Sequence, residues 1–247
     1  MAVFVLLSGA FYGSWCWSHV VPMLHAAGHR TITPDLPASA DADTLPLETP
    51  LAYWTDQITA IVRAQPEPVV LVGHSRAGLI LSEVAERIPE RISLLVYLSA
   101  FLLRDGQTLK DVADTAPNAA QIATAFEHNG KGLLSFSQTA LRPMLFNRTA
   151  EELVGAVCDR FSVEPASAFV SPINVTEKRF GSVPRVYIEC LEDRAIPIET
   201  QRAMHQIYPG THVRQLDCDH SAFFSEPAGL ATALEACLAV RAAPAPV

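Results

Sequence analysis

Six short, mostly apolar runs alternate with helix-length stretches, and this alternation limits the fold of the chain more than any other feature. The runs are Val3–Leu7, Thr31–Thr33, Val69–Val72, Leu94–Leu98, Val186–Cys190 and, more weakly, Val213–Leu216. A strand with one wet face alternates apolar and polar side chains, whereas a strand covered on both faces is apolar at successive positions. These runs are of the second kind. Between them lie candidate helices at Trp17–Ala27, Leu51–Ala64, Gly78–Ile88, Pro197–Ile207 and Glu226–Val240. Strand–helix alternation of this sort predicts an α/β fold: a doubly wound, mainly parallel six-stranded sheet in a single domain over residues 1–247.

One interval breaks the rhythm. From Leu103 to Val183 no strong strand pattern occurs, and helical pieces are separated by Pro117, Gly130, Gly132, Pro143, Pro165 and Pro172. A bare loop of that length does not belong in a compact domain. The interval reads as a helical cap inserted at 103–178, over the strand ends. The tail after Arg241 reads as frayed.

Composition closes several other routes. With 49% hydrophobic and 18% charged residues, the chain can bury a large core and is not globally disordered. Eighteen Lys and Arg against 26 Asp and Glu leave a formal charge of −8, so there is no basic surface for nucleic acid. The longest apolar run, Leu94 to Leu103, is interrupted by Ser99 and is far short of a membrane span. No positively charged lead-in precedes the apolar stretch Ala2–Leu7. Five cysteines form no C-x-x-C, as expected of buried thiols in a reducing compartment. A cytoplasmic protein with neither membrane nor nucleic-acid partner is expected. No His pair at i, i+4 with an added carboxylate suggests a metal, and no Gly-x-Gly-x-x-Gly loop suggests a nucleotide, so no cofactor is expected. A homodimer is among the arrangements the sequence allows.

The block Val69-Val-Leu-Val-Gly-His-Ser75-Arg-Ala-Gly-Leu-Ile carries the chemistry. It reads as a buried strand, a tight turn and a helix, with Ser75 at the serine of a G-x-S-x-G-like nucleophile elbow. The turn forces the serine into a strained backbone conformation, so residues on either side must be small. Gly73 meets that need. After the serine stands Ala77 followed by Gly78, one methyl away from the strict pattern. The N–H of Arg76, directly after the nucleophile, is placed to donate to an oxyanion. Its side chain reads either as solvated at the start of the helix or as something more.

A serine hydroxyl needs a base, and the base needs an orienting carboxylate. In strand–helix chains of this order the acid and then the histidine follow the serine. His19, His25, His29 and His74 precede Ser75, His128 lies in the insertion, His205 in a helix, and His212 at a strand start. That leaves His220, in the loop after the last strand, where side chains converge on strand C-terminal ends. The acid follows the preceding strand, where Glu189, Glu192 and Asp193 are available. Asp193, deepest in the turn, is favoured; Asp217 and Asp219 read as surface carboxylates. A second oxyanion donor is expected from the loop after the first strand, at Ala10 N–H beside Gly9.

Together these residues resemble the plant methylesterase and hydroxynitrile lyase branch of the α/β-hydrolase fold and its bacterial relatives. The matching blocks include Gly13-Ser-Trp-Cys-Trp17, Leu24-His-Ala-Ala-Gly-His29, Thr33-Pro-Asp-Leu36, Gly73-His-Ser-Arg-Ala-Gly78, Phe180 to Cys190, Glu192-Asp-Arg-Ala-Ile-Pro197 and Asp219-His220. The resemblance implies a Ser75–Asp193–His220 triad, an oxyanion hole from the Ala10 and Arg76 amides, and no cofactor. It departs from the family at Ser8-Gly9, where esterases usually carry His-Gly, and at Ala77. The implied activity is hydrolysis of a small hydrophobic carboxylic ester through an acyl-enzyme. Gly9, Phe11, Tyr12, Phe126, Phe136 and Ser221 are the expected substrate contacts. A hydroxynitrile lyase would use a Thr and a Lys where this chain has Gly9 and Ser221, and so would lack the cation that stabilises cyanide. A biosynthetic enzyme performing demethylation, decarboxylation or cyclisation, and a non-catalytic ligand-binding protein, share the same scaffold.

Overall fold

The computed structural model describes residues 1–37, 46–130 and 132–241; the expected frayed tail falls outside them. The first half runs β1 (Val3–Leu7), a 3-10 turn (Ser14–His19), α1 (Val21–Ala26), β2 (Arg30–Ile32), α2 (Pro50–Arg63), β3 (Val69–His74), α3 (Ala77–Arg87) and β4 (Ile92–Leu98). The interval to the next core strand carries α4 (Leu109–Ala113), α5 (Ala119–Ala125), β5 (Phe126–His128), β6 (Leu133–Phe136), α6 (Gln138–Leu145), α7 (Glu151–Cys158), β7 (Glu164–Pro165) and α8 (Ser167–Val170). The chain ends with β8 (Arg185–Cys190), α9 (Ile198–His205), β9 (His212–Leu216), α10 (Ala222–Ser225) and α11 (Pro227–Arg241).

The six core strands form one parallel sheet in the order β2-β1-β3-β4-β8-β9. Each predicted strand and helix has a counterpart within a few residues, except that Trp17–Ala27 divides into the 3-10 turn and α1. Successive side chains of the inner strands point to opposite faces. Phe4, Leu6, Val70, Val72, Leu94 and Val96 pack on one face with Trp17, Phe223 and Leu234. Val5, Leu7, Leu71, Leu95 and Tyr97 pack on the other with Trp54, Ile58 and Leu81. Two buried faces explain why the strands are apolar without alternation. Strand β9 lies at the sheet edge with His212 to Gln215 exposed, which accounts for its weak apolar signal.

The insertion is not all-helical as expected. Strands β5, β6 and β7 form a small antiparallel sheet, with Gly130 (φ 77°) and Gly132 (φ 74°) between the first two. Strands of two to four residues are too short to show a period in the sequence. No helix among the described residues is long and apolar enough to cross a membrane.

The order of the sheet creates a crevice. From β1 the chain goes outward to β2 and then returns to the other side of β1 as β3, so the loops after β1 and β3 diverge from neighbouring strand ends. Such a reversal point is where open α/β sheets form their sites.

Close backbone approach fixes which glycines matter near that point. A Cβ on Gly78 would lie 2.3 Å from the Phe101 carbonyl oxygen, and one on Gly155 would meet nothing within 4 Å. Gly78→Ala is therefore expected to lose about 1–3 kcal/mol by overpacking, and Gly155→Ala, inside α7, to gain about 0.5–1 kcal/mol. Urea denaturation of both variants checks the opposite signs.

Candidate active site

Strand β3 delivers Ser75 into a left-handed turn with φ 53°. The turn is held by its own backbone: Ser75 N–H donates to Leu98 O, and Ser75 O accepts from the amides of Gly78 and Phe101. The buried Gly73 lets α3 fold back, since a Cβ there would lie 2.4 Å from Leu81 Cδ1 and 3.1 Å from the Ala77 carbonyl. Ala77 itself packs into the core, and the tight contact falls one residue later at Gly78. The methyl that departs from the strict motif is thus accommodated away from the serine.

His220 comes from the loop after β9 and is 3% exposed. Its Nδ1–H donates to Asp193 Oδ2 at 2.6 Å. Asp193, in the loop after β8, is fully engaged: Oδ2 also accepts from Ser99 Oγ at 2.5 Å, and Oδ1 accepts from the Ala195 and Ile196 amides at 2.7 and 2.8 Å. Ser99 sits at the end of β4 with φ 36°, another strained position at the sheet's C-terminal edge. Ser75 and His220 open into one cavity. No hydrogen bond joins their side chains among the described residues, and such contacts commonly tighten only when substrate is bound.

The loop after β1 faces this turn. Neither Ala10 N–H nor Arg76 N–H donates to a protein acceptor among the described residues, and both residues line the cavity beside Ser75. Phe11 adopts φ 69°, rare for a phenylalanine. Gly9, expected to touch substrate, lies behind the wall instead: a Cβ there would come within 2.8 Å of both His74 Nδ1 and Ser75 Cβ. Ser221 is likewise displaced from the lining, fully buried and sharing a 2.7 Å hydrogen bond with Tyr12 OH. Tyr12, Phe11, Phe126 and Phe136 do line the cavity.

Four residues with support roles were not among the sequence-derived candidates. Besides Ser99, buried His74 donates from Nε2 to the His220 carbonyl at 2.9 Å, its ring packed between Tyr12 and Phe223. Burial pushes the His74 imidazole well below its ordinary pKa, which keeps it neutral. Asp219 is not a surface carboxylate: it is fully buried and accepts from the Arg148 and Thr149 amides, Thr149 Oγ1, the Ser221 amide and Ser225 Oγ. It thereby ties the His220 loop to the segment after α6. Asp217 is exposed, as expected, and pairs with Arg148. Glu164 of β7 is buried and pairs with Arg76 at 3.1 Å, so the Arg76 side chain is not solvated at the helix start but lies under the cap, over the Trp54 ring.

The cavity measures about 450 Å³. Its floor is Ser75, His220 and the Ala10 and Arg76 amides, and its walls are supplied by cap side chains such as Leu109, Ile122, Phe126, Phe136, Met144 and Phe169. Polar groups away from the floor are few: Lys110, Asp114 and His128, of which Lys110 and Asp114 pair with each other at 2.6 Å. No group of His, Cys, Asp and Glu among the described residues is arranged to hold a metal ion.

Ser75, His220 with its Asp193 anchor, and the Ala10 and Arg76 amides thus meet at one end of the sheet. Residues 4–233 match the family model described as the alpha/beta hydrolase family. Methylesterase 1 of Arabidopsis thaliana is 36% identical over 243 residues, covering 91% of each chain. Salicylic acid-binding protein 2 of Nicotiana tabacum is 31% identical over 254 residues, covering 94% of this chain and 95% of the relative. Among solved structures, a pyrethroid hydrolase from Sphingobium faniae superposes with a TM-score of 0.85 at 28% identity, covering 98% of both chains. The chain belongs to the alpha/beta hydrolase family, in its plant methylesterase-like branch. It is an enzyme of the carboxylic ester hydrolase type.

The two aspartates flanking Cys218 are expected to behave differently. Asp219→Asn turns an NH2 toward backbone donors and should cost about 1–3 kcal/mol, whereas Asp217→Asn, at an exposed ion pair, should change stability by about 1 kcal/mol or less. Equilibrium unfolding in urea at neutral pH measures both.

Proposed function

We propose that the enzyme hydrolyses esters of small, uncharged, hydrophobic carboxylic acids through a Ser75 acyl-enzyme. His220 takes the Ser75 proton as Oγ attacks the acyl carbon and returns it to the leaving alcohol. Asp193 holds the imidazole through Nδ1 and favours the cation that forms during attack. The Ala10 and Arg76 amides donate to the oxygen that becomes negative in the tetrahedral intermediate. Water, deprotonated by the same histidine, then releases the acid.

The observation that carries this reading is the single cavity into which Ser75, His220 and both free amides open. Its apolar walls support the choice of substrate, because a charged acyl group would lose hydration there without a partner. The aromatic rings of Phe11, Phe126, Phe136 and Phe169 form a cluster in which Phe11 and Phe126 each contact the other three with centroids 5.4 to 6.2 Å apart, and favour a flat or ring-bearing acyl group. The related plant proteins bear methylesterase names, so methyl esters of aromatic acids are natural first substrates. All five cysteines are free, which agrees with a reducing, cytoplasmic setting.

The test compares wild type and Ser75→Ala on para-nitrophenyl acyl esters of rising chain length and on aromatic methyl esters. Wild type should turn over short and aromatic esters, and Ser75→Ala should lose at least about a thousand-fold in kcat with its circular dichroism unchanged. A well-folded wild type that hydrolyses no ester, or a serine variant that keeps its rate, would sink the reading.

A further inference from the structure

The oxyanion donors lie on two separate loops, and neither loop fixes the distance to the other by itself. Ala10 follows β1 and Arg76 follows β3, strands paired through Leu7 and Gly73; beyond that pairing the β1 loop is closed by Ser8 Oγ donating to Tyr12 O, and neither amide has a protein acceptor among the described residues. The β1 loop is also strained, since Phe11 at φ 69° occupies a region that non-glycine residues adopt at a cost. Something outside the loop must hold it.

The cap supplies that hold. Phe11 N–H donates to Glu164 Oε1 at 3.0 Å, and Phe11 O accepts from the Ser162 amide at 2.9 Å and from Ser162 Oγ at 3.3 Å. Both peptide groups of the strained residue are therefore tied to one short stretch of chain. The same Glu164 Oε1 accepts from Arg76 Nη2 at 3.1 Å, with both side chains almost completely buried. One carboxylate oxygen thus bridges the loop after β1 and the turn after β3.

We propose that Glu164 is a positioning residue for the oxyanion site, through which the cap sets the spacing of the Ala10 and Arg76 amides. This rests on the ester-hydrolase mechanism above. Glu164 touches no reacting atom; its effect passes through Phe11 and Arg76. Loss of the Phe11 acceptor lets the peptide leave its left-handed conformation and swings the adjoining Ala10 amide away from the oxyanion. Such a displacement weakens the transition state and leaves substrate binding in the apolar cavity intact.

Within an Arg76→Leu background, the experiment compares Glu164→Gln, which keeps an acceptor for Phe11 N–H, with Glu164→Leu, the double variant that removes it, so that neither leaves a buried unpaired charge. The double variant should lose roughly ten- to a hundred-fold in kcat with KM within about two-fold of wild type. Its affinity for an acyl trifluoromethyl ketone, whose adduct carries an oxyanion, should fall in parallel, while affinity for the corresponding hydrocarbon, which has no oxygen to place there, is unchanged. Glu164→Gln should recover most of the kcat. Crystal structures of both variants supply a readout that needs no activity: φ of Phe11 should turn negative in the double variant and stay positive in Glu164→Gln. If wild type hydrolyses no ester, the mechanism fails and the Phe11 conformation alone decides the positioning role. If wild type is active and Ser75→Ala is dead, but the double variant keeps its kcat or Phe11 keeps its positive φ, the proposal is overturned.

Discussion

The left-handed turn at Ser75 is the constraint to which the neighbouring structure conforms. A non-glycine residue held there costs on the order of 1–3 kcal/mol unless its surroundings enforce it, and the enforcement is visible on every side. Gly73 and Gly78 let α3 close against β3 and against the Phe101 backbone. Leu98 O and Phe101 N–H fasten the serine's peptide groups to the end of β4. Gly9 lets the loop after β1 pass within van der Waals reach of Ser75 Cβ and His74. The mostly apolar inner strands serve the same end, because a sheet packed on both faces supplies a rigid floor for such a turn.

Buried carboxylates organise the remainder. Asp193, Asp219 and Glu164 are each almost fully buried; the first two have both oxygens engaged by backbone amides and side chains, and Glu164 gathers the Phe11 amide and Arg76 on Oε1. A buried carboxylate accepting several N–H bonds is among the stronger local restraints available to a chain, since leaving one donor unpaired costs about as much as a sizeable cavity. The three divide the labour: Asp193 fixes the histidine ring, Asp219 fixes the loop that carries it, and Glu164 fastens the opposite wall.

How much of this could be read from the sequence depended on whether a feature was local. The parallel sheet was legible because six runs such as Val3–Leu7 and Val69–Val72 declare burial on both faces within a few residues. Ser75, Asp193 and His220 were legible because each follows a recognisable strand in a fixed order. The edge strand β9 was fainter, since its exposed residues carry little apolar pattern. Ser99 left a trace, being the polar interruption in the longest apolar run, although nothing nearby said what it bonds. Glu164 left none, with its Phe11 partner 153 residues away, and Asp219, although it stands in a matching block beside His220, read as a surface carboxylate because an isolated carboxylate looks the same whether it meets water or a row of amides. The small sheet of the cap was missed for a related reason, because Leu133–Phe136 acquires its partners only when β5 and β7 arrive.

The division of the cavity between its floor and its walls has a consequence for how its shape can be altered. The candidate catalytic groups come from loops at the ends of core strands, while most of the apolar lining of the cavity comes from residues 109 to 170. Changes at Leu109, Ile122 or Met144 reshape the space without disturbing a single peptide bond near the serine. Substitution in the cap therefore alters the shape of the cavity while the backbone around Ser75 and His220 stays in place. Positions 162 and 164 are where that separation ends, because there the cap is hydrogen-bonded to the loop after β1 and ion-paired with Arg76.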